Sequence, residues 1–268
     1  MASGRCIQFL MVGVAGTTMM AGSAAIAADM AVKAPAPVYA PAPADWSGFY
    51  VGVHGGGGWA TDPLSLTITN VCGGFNGNPP GFPLTVHDIN SSGFVVGGHF
   101  GYNWEYYRSV VVGIEVDADF ADISGTSSAS GSAVIGGGVG PVSATFSLED
   151  KVASLGTARA RLGWLAAEWL LVYGTGGLAW ERLEQTSVFS QTVGGVTNVV
   201  TTVTPDNRFG FVVGAGAEAK LFGSNNWLAR AEYLHYDFGN SGSQTGILTS
   251  GDQTVDIVRG GVTFKFGP

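Results

Sequence analysis

Near its C-terminus the chain reads VDIVRGGVTFKF, from Val255 to Phe266. Val258, Gly260, Val262, Phe264 and Phe266 fall on one parity and Arg259, Gly261, Thr263 and Lys265 on the other, a period of two that predicts a strand. The alternation recurs upstream. Val112, Ile114, Val116, Ala118 and Phe120 interleave with Glu115, Asp117 and Asp119, and Ala158, Ala160, Leu162 and Trp164 interleave with Arg159 and Arg161. Phe209, Phe211, Val213, Ala215, Ala217, Ala219 and Leu221 share a face opposite Glu218 and Lys220, while Trp227, Ala229, Ala231 and Tyr233 lie opposite Arg230 and Glu232. Charge keeps to one parity, and an acidic strand face stands beside a basic one.

The pattern predicts eight strands: Phe49 to Trp59, Phe94 to Tyr106, Val110 to Ala121, Val152 to Trp164, Trp169 to Glu181, Arg208 to Leu221, Trp227 to Asp237 and Val255 to Phe266. Tyr107 to Ser109, Leu165 to Glu168 and Phe222 to Asn226 are short enough to be hairpin turns. The other connections, Ala60 to Gly93, Asp122 to Lys151, Arg182 to Asn207 and Phe238 to Thr254, are long, rich in Gly, Ser, Thr and Asn, and read as loops. Short turns at one end and long connections at the other describe an all-β fold, an eight-stranded antiparallel up-and-down barrel.

In a soluble barrel or sandwich the apolar face would fill a core, whereas in a membrane barrel it would meet lipid. Two observations favour lipid. Trp59, Trp104, Tyr106, Trp164, Trp169, Trp180, Trp227 and Phe266 collect at strand ends, as in interfacial girdles. Gly98, Gly174, Gly176 and Gly260 lie on the apolar face and would leave a soluble core underfilled. Only 12% of residues are charged, about half the usual share in soluble domains. Eight tilted strands enclose an interior just wide enough for side chains. Glu115, Asp117, Asp119, Arg159, Arg161, Glu218, Lys220, Arg230, Glu232, Arg259 and Lys265 would therefore face one another in a plugged lumen held by ion pairs.

The N-terminus has its own pattern. Arg5, an apolar run from Ile7 to Met20 and the small-residue end Ala25-Ile26-Ala27 predict a secretory signal over residues 1–27. Residues 28–45, with the run KAPAPVYAPAPAD, predict an extended Ala/Pro-rich tether, and the barrel domain follows over 46–268. After the N-terminus no stretch is apolar for the 18 or so residues a membrane helix needs. With a net charge of −8, a pI of 4.8 and no basic cluster, nothing marks a nucleic-acid partner. Cys6 lies in the signal and Cys72 in a connection, so the mature chain has one thiol and no internal disulfide.

The chain contains no Gly-x-Ser-x-Gly elbow, no His-Glu-x-x-His and no cysteine pair. The glycines of Gly55 to Gly58 and Gly210 to Gly216 have no following helix and no Lys-Ser/Thr, and read as strand or bulge positions. His54 and His99 share the lumen parity and read as interior polar groups; His87 lies in a connection. His235, near the outer end of its strand, with a serine of the Ser241 to Ser250 segment, is the one candidate pair for a lipid-modifying enzyme. The expectation is no enzyme, no cofactor and no metal site.

Taken in order, the signal ending AIAAD, the Ala/Pro tether, WSGFYVGVHGGGGWA (Trp46 to Ala60), GTARARLGW (Gly156 to Trp164), VYGTGGLAW (Val172 to Trp180), AEYLHYDFG (Ala231 to Gly239) and VRGGVTFKF resemble the alphaproteobacterial outer-membrane immunogenic, or porin-family, proteins with an OmpA-like barrel. The resemblance covers nearly the whole mature chain. It implies an integral outer-membrane protein with outer-membrane lipids as its surroundings and a structural or porin-like envelope role. It also brings a second reading, surface binding or adhesion through the long loops to a host surface or a small ligand, haem among them. The closing strand resembles the signal read by the barrel-assembly machinery, through Arg259, Gly261, Phe264 and Phe266, although Gly267 and Pro268 follow where a terminal aromatic is usual.

Overall fold

The computed structural model describes residues 45–68, 83–107, 109–135, 140–240, 248–250 and 252–267. The predicted signal, all of the tether before Asp45, and Cys72 lie outside them. In chain order the elements are β1 (Gly48–Asp62), β2 (Leu64–Ile68), β3 (Leu84–Val86), β4 (Ile89–Tyr106), β5 (Val110–Ile135), β6 (Gly140–Ala167), β7 (Leu170–Val193), β8 (Val196–Lys220), β9 (Trp227–Asn240), β10 (Leu248–Ser250) and β11 (Asp252–Lys265). Eight of them close a barrel in the order β1-β11-β9-β8-β7-β6-β5-β4, with β10, β2 and β3 forming a separate three-stranded antiparallel sheet. Closure is made by the two ends of the domain: β1 pairs with β11 from Tyr50↔Lys265 to Thr61↔Thr254.

The predicted parities are those observed. Val53, Phe100, Ile114, Val116, Leu162, Leu178, Phe211, Val213 and Val258 are exposed on the outside of the barrel, while the charged positions between such residues point inward and are buried. At the short-turn end the outer surface carries Phe49, Trp104, Tyr106, Trp164, Trp169, Trp227 and Phe266; at the other end it carries Trp59, Phe94, Phe120, Trp180 and Phe209. These two aromatic belts bound an apolar band, and along β1 it runs from Phe49 to Trp59, matching the roughly 9–11 residues of a tilted transmembrane strand.

The connections Asp122 to Lys151 and Arg182 to Asn207 are not loops. β5 to β8 are 24 to 28 residues long, more than twice what a bilayer requires. Above the belts they continue as a four-stranded sheet, paired from Ser124↔Lys151 to Ile135↔Gly140, from Val142↔Val193 to Ser154↔Arg182, and from Arg182↔Asn207 to Val193↔Val196. Ser, Thr and Val alternate there with almost no charge, a composition that resembles loop but suits a pleated surface. At its tip Gly194 and Gly195 have φ of 56° and 84°, the left-handed pair that a two-residue hairpin turn demands. The small sheet packs on the inner face of this extension, where Leu64, Leu84, Val86 and Ile89 meet Ala144, Phe146 and Leu148.

Candidate functional site

The barrel interior is filled in layers. At the short-turn end Trp46 is fully buried with Val111, Leu171, Tyr173 and Leu228. Its backbone N–H donates to Glu105 Oε2 at 2.8 Å, and its indole N–H lies 3.4 Å from the Glu168 carbonyl. Here the structure corrects two sequence expectations. Lys220 and Lys265 do not join the ion-pair network but serve this floor. Lys265 Nζ donates to the carbonyls of Asp45 and Ser47 at 2.7 and 3.2 Å, and Lys220 Nζ donates to Asn225 at 3.0 Å and sits 5.1 Å from the Trp46 ring centre. Each is the last residue of its strand, β8 or β11, at the floor rather than among the mid-barrel acids.

The remaining predicted charges converge above the floor. Arg159 bridges three strands, donating to Glu115 at 2.6 Å, Asp117 at 2.7 Å and Glu232 at 3.0 Å. Arg259 donates to Asp117 at 2.8 Å, Asp119 at 2.9 Å and Glu232 at 2.8 Å. Arg161 reaches Glu218 at 3.0 Å and Glu115 at 3.3 Å, and Arg230 reaches the same two acids. All these side chains are at most 2% exposed. Buried charge is tolerable only with such pairing, and each guanidinium spreads its donors over acids from separate strands.

Two tyrosines that sequence reasoning passed over complete the network. Tyr50 Oη donates to Glu115 at 2.8 Å and accepts from Arg161 at 3.0 Å; Tyr173 Oη accepts from Arg230 at 2.8 Å and lies 3.2 Å from Glu232. Tyr50 stands opposite Gly101 and Tyr173 opposite Gly216. A side chain at Gly216 would come within 2.6 Å of the Tyr173 ring, so the glycine makes room for the aromatic, and an inward Tyr facing a Gly across a strand pair was the readable signal. His54 and His99, expected as interior groups, stack with ring centres 5.3 Å apart. His54 also contacts Asp119 and Arg259, and His99 lies 2.9 Å from Thr263 Oγ1.

Above the network comes an apolar layer in which Val95, Ile123, Leu155, Val212, Leu234, Tyr236 and Ile257 are buried together. This layer adds apolar packing to the ion pairs expected to plug the lumen. At the mouth above it, Asp62, Asp150 and Glu181 are buried, and Asp62 Oδ1, Asp150 Oδ2 and both Glu181 carboxylate oxygens find no donor among the described side chains. Burial, and then the neighbouring Asp150 carboxylate, push the Asp62 carboxyl up to about 6 against the opposing pull of Arg208. Burial likewise raises Asp150. Among the described residues no group of three His, Cys, Asp or Glu side chains is arranged to hold a metal ion.

A family model described as the outer membrane protein beta-barrel domain matches residues 24–266. The chain belongs to this outer-membrane β-barrel family. It is 33% identical over 225 residues to the 31 kDa outer-membrane immunogenic proteins of Brucella melitensis and Brucella suis, covering 82% of this chain and 84% of each relative. Among solved structures it is similar to the outer-membrane protein OprG of Pseudomonas aeruginosa (14% identity, TM-score 0.37, 83% of this chain and 97% of that one). It is also similar to the outer-membrane protease OmpT of Escherichia coli (9% identity, TM-score 0.40, 82% and 97%). In outer-membrane barrels generally an apolar exterior faces lipid and the short turns are periplasmic. In this barrel Arg259 is committed to the lumen network and Gly261 stands opposite His54, while Phe266 is exposed in the lower belt and Phe264 packs edge-on against Trp227.

Proposed function

We propose that this outer-membrane barrel is a closed, non-enzymatic envelope protein rather than an open pore, and that it presents its long sheet to the outside. The observation that carries this reading is the interior: a tryptophan floor, an ion-pair layer and an apolar layer follow one another along the axis. In planar bilayers the purified barrel is expected to give no regular conductance steps; stepwise openings of uniform size would overturn the closed-barrel reading. His235, the candidate catalytic histidine, has its Nδ1 2.7 Å from Asp256, which also accepts from the Tyr233 hydroxyl at 2.6 Å. That pairing supports a structural part for His235 at the outer rim. Outer-membrane lipids are the proposed surroundings of the exposed band, and the closing strand, with Phe264 and Phe266 outermost, is the proposed contact for the barrel-assembly machinery during insertion.

A second reading, surface binding to a host component or a small ligand, is favoured by the extension of β5 to β8 beyond the membrane. The word immunogenic in the names of the Brucella relatives fits a surface that antibodies can reach. Replacing residues 126–149 and 186–203 by short turns should leave the barrel folded and abolish any such binding. Binding retained after that change would remove the sheet from the account.

A further inference from the structure

We propose that copies of this chain associate head to tail in the outer membrane, the external edge of β5 in one molecule pairing with the external edge of β8 in the next. β5 pairs with β4 only as far as Ser124, and β8 pairs with β9 only from Phe211 onward. Above those points β5 is bonded to β6 alone and β8 to β7 alone. Among the described residues no strand pairs with the outer edge of 126–133 or of 196–203. Edges of this kind are ordinarily blunted by charge, proline or a bulge. Here 126–133 reads TSSASGSA and 196–203 reads VTNVVTTV, with no charged residue and no proline in either. Val196, Val199, Val200 and Val203 are all about 60% exposed.

The occupant follows from polarity and register. β5 runs away from the membrane and β8 runs back toward it, and every copy in one membrane has the same orientation. A β5 edge therefore meets a neighbour's β8 edge antiparallel, whereas β5 on β5 or β8 on β8 would be parallel, the less stable pairing. The two edges also belong to the same hydrogen-bonded rows. Thr126 is in one row with Glu149, Thr186 and Val203, and Ala133 is in one row with Val142, Val193 and Val196. Antiparallel pairing that continues these rows sets Ser130 of one copy opposite Val199 of the next, small side chains against β-branched ones. No like charges are brought together. The free edges rise about 26 Å at ~3.3 Å per residue, enough for sheets to lean across the gap between adjacent barrels. Each copy carries one edge of each kind, so the contact is heterologous and builds rows or rings.

The test is disulfide trapping in intact outer membranes, in a Cys72→Ser background. Ser130→Cys and Val199→Cys variants, distinguished by tags of different length, are expressed separately and together. Co-expression should give a mixed dimer several-fold above that of the out-of-register pair Ser130→Cys with Val203→Cys, and neither single variant should dimerise with itself. Adding Thr197→Lys and Thr201→Lys should abolish the cross-link, with the heat-dependent shift in gel mobility showing that the barrel is still folded. Three outcomes overturn the proposal: no mixed dimer from folded protein, self-dimers of either single variant as abundant as the mixed one, or cross-links only to a different protein, which would make the edge a site for a foreign strand.

Discussion

Glu115, like Glu232, gathers three guanidiniums and a tyrosine: Arg159, Arg161, Arg230 and Tyr50 all turn toward its carboxylate. Replacing it by glutamine keeps the shape and removes the charge, leaving three guanidiniums short of an anion in a site without water contact. The expected loss is about 3–5 kcal/mol, measured by urea unfolding of the barrel in lipid vesicles. A loss below about 1 kcal/mol would mean that solvent reaches the network. Alternation alone had marked Glu115 and its charged neighbours as inward, because charge kept to one parity in each of those strands. It could not separate Lys220 and Lys265 from them. A lysine on the inward parity looks the same at mid-strand and at the rim, and only the position of Trp46 and the Asp45 and Ser47 carbonyls shows which it is.

At the scale of strands, the membrane segments were legible and the external ones were not, for one physical reason. Lipid on one side and buried charge on the other imposes a strong contrast between successive residues, but a sheet with water on its outer face and a thin apolar covering on its inner face imposes little. The stretch from Thr186 to Thr204 alternates weakly, yet its centre reads Val193-Gly194-Gly195-Val196, a hairpin signal that outweighs composition. The contrast itself can be measured. Val116 is 51% exposed on the lipid band, whereas Thr145 is exposed on the outer face of β6 above it. Val116→Arg should cost roughly 2–4 kcal/mol of folding free energy in lipid, and Thr145→Arg should change it by less than about 0.5 kcal/mol. Equal costs would place both residues in the same solvent and undo the assignment of the bilayer to the lower half of β5 and β6.

For the molecule as a whole, the layering along the axis divides the interior electrostatically. Below the apolar layer the buried acids have cationic partners; above it Asp62, Asp150 and Glu181 share Arg208 as their nearby cation among the described residues, and its own hydrogen bonds go to Asp206 and Gln253. The mouth is therefore the part of the barrel that folds more readily with fewer charges. Asp62, with Asp150, Asp88, Glu181 and Arg208 around it, has its carboxyl held at about 6 in the folded protein against an ordinary 3.8. Between those values the folded state holds a proton that the unfolded state has released, so this group favours folding most below pH 4 and loses that contribution as pH rises to 6. The full difference is about 3 kcal/mol, and partial solvent screening at the mouth reduces it to about 2 kcal/mol. Asp62→Asn removes the titration and keeps the size. Unfolding free energies measured in vesicles at pH 4, 5, 6 and 7 should show the variant gaining on the wild type across pH 4 to 6 and then running parallel to it. A difference that stays constant with pH, or a variant that loses ground to the wild type as pH rises from 4 to 6, would mean that Asp62 meets solvent in the folded barrel and that the apolar layer beneath it does not seal the mouth.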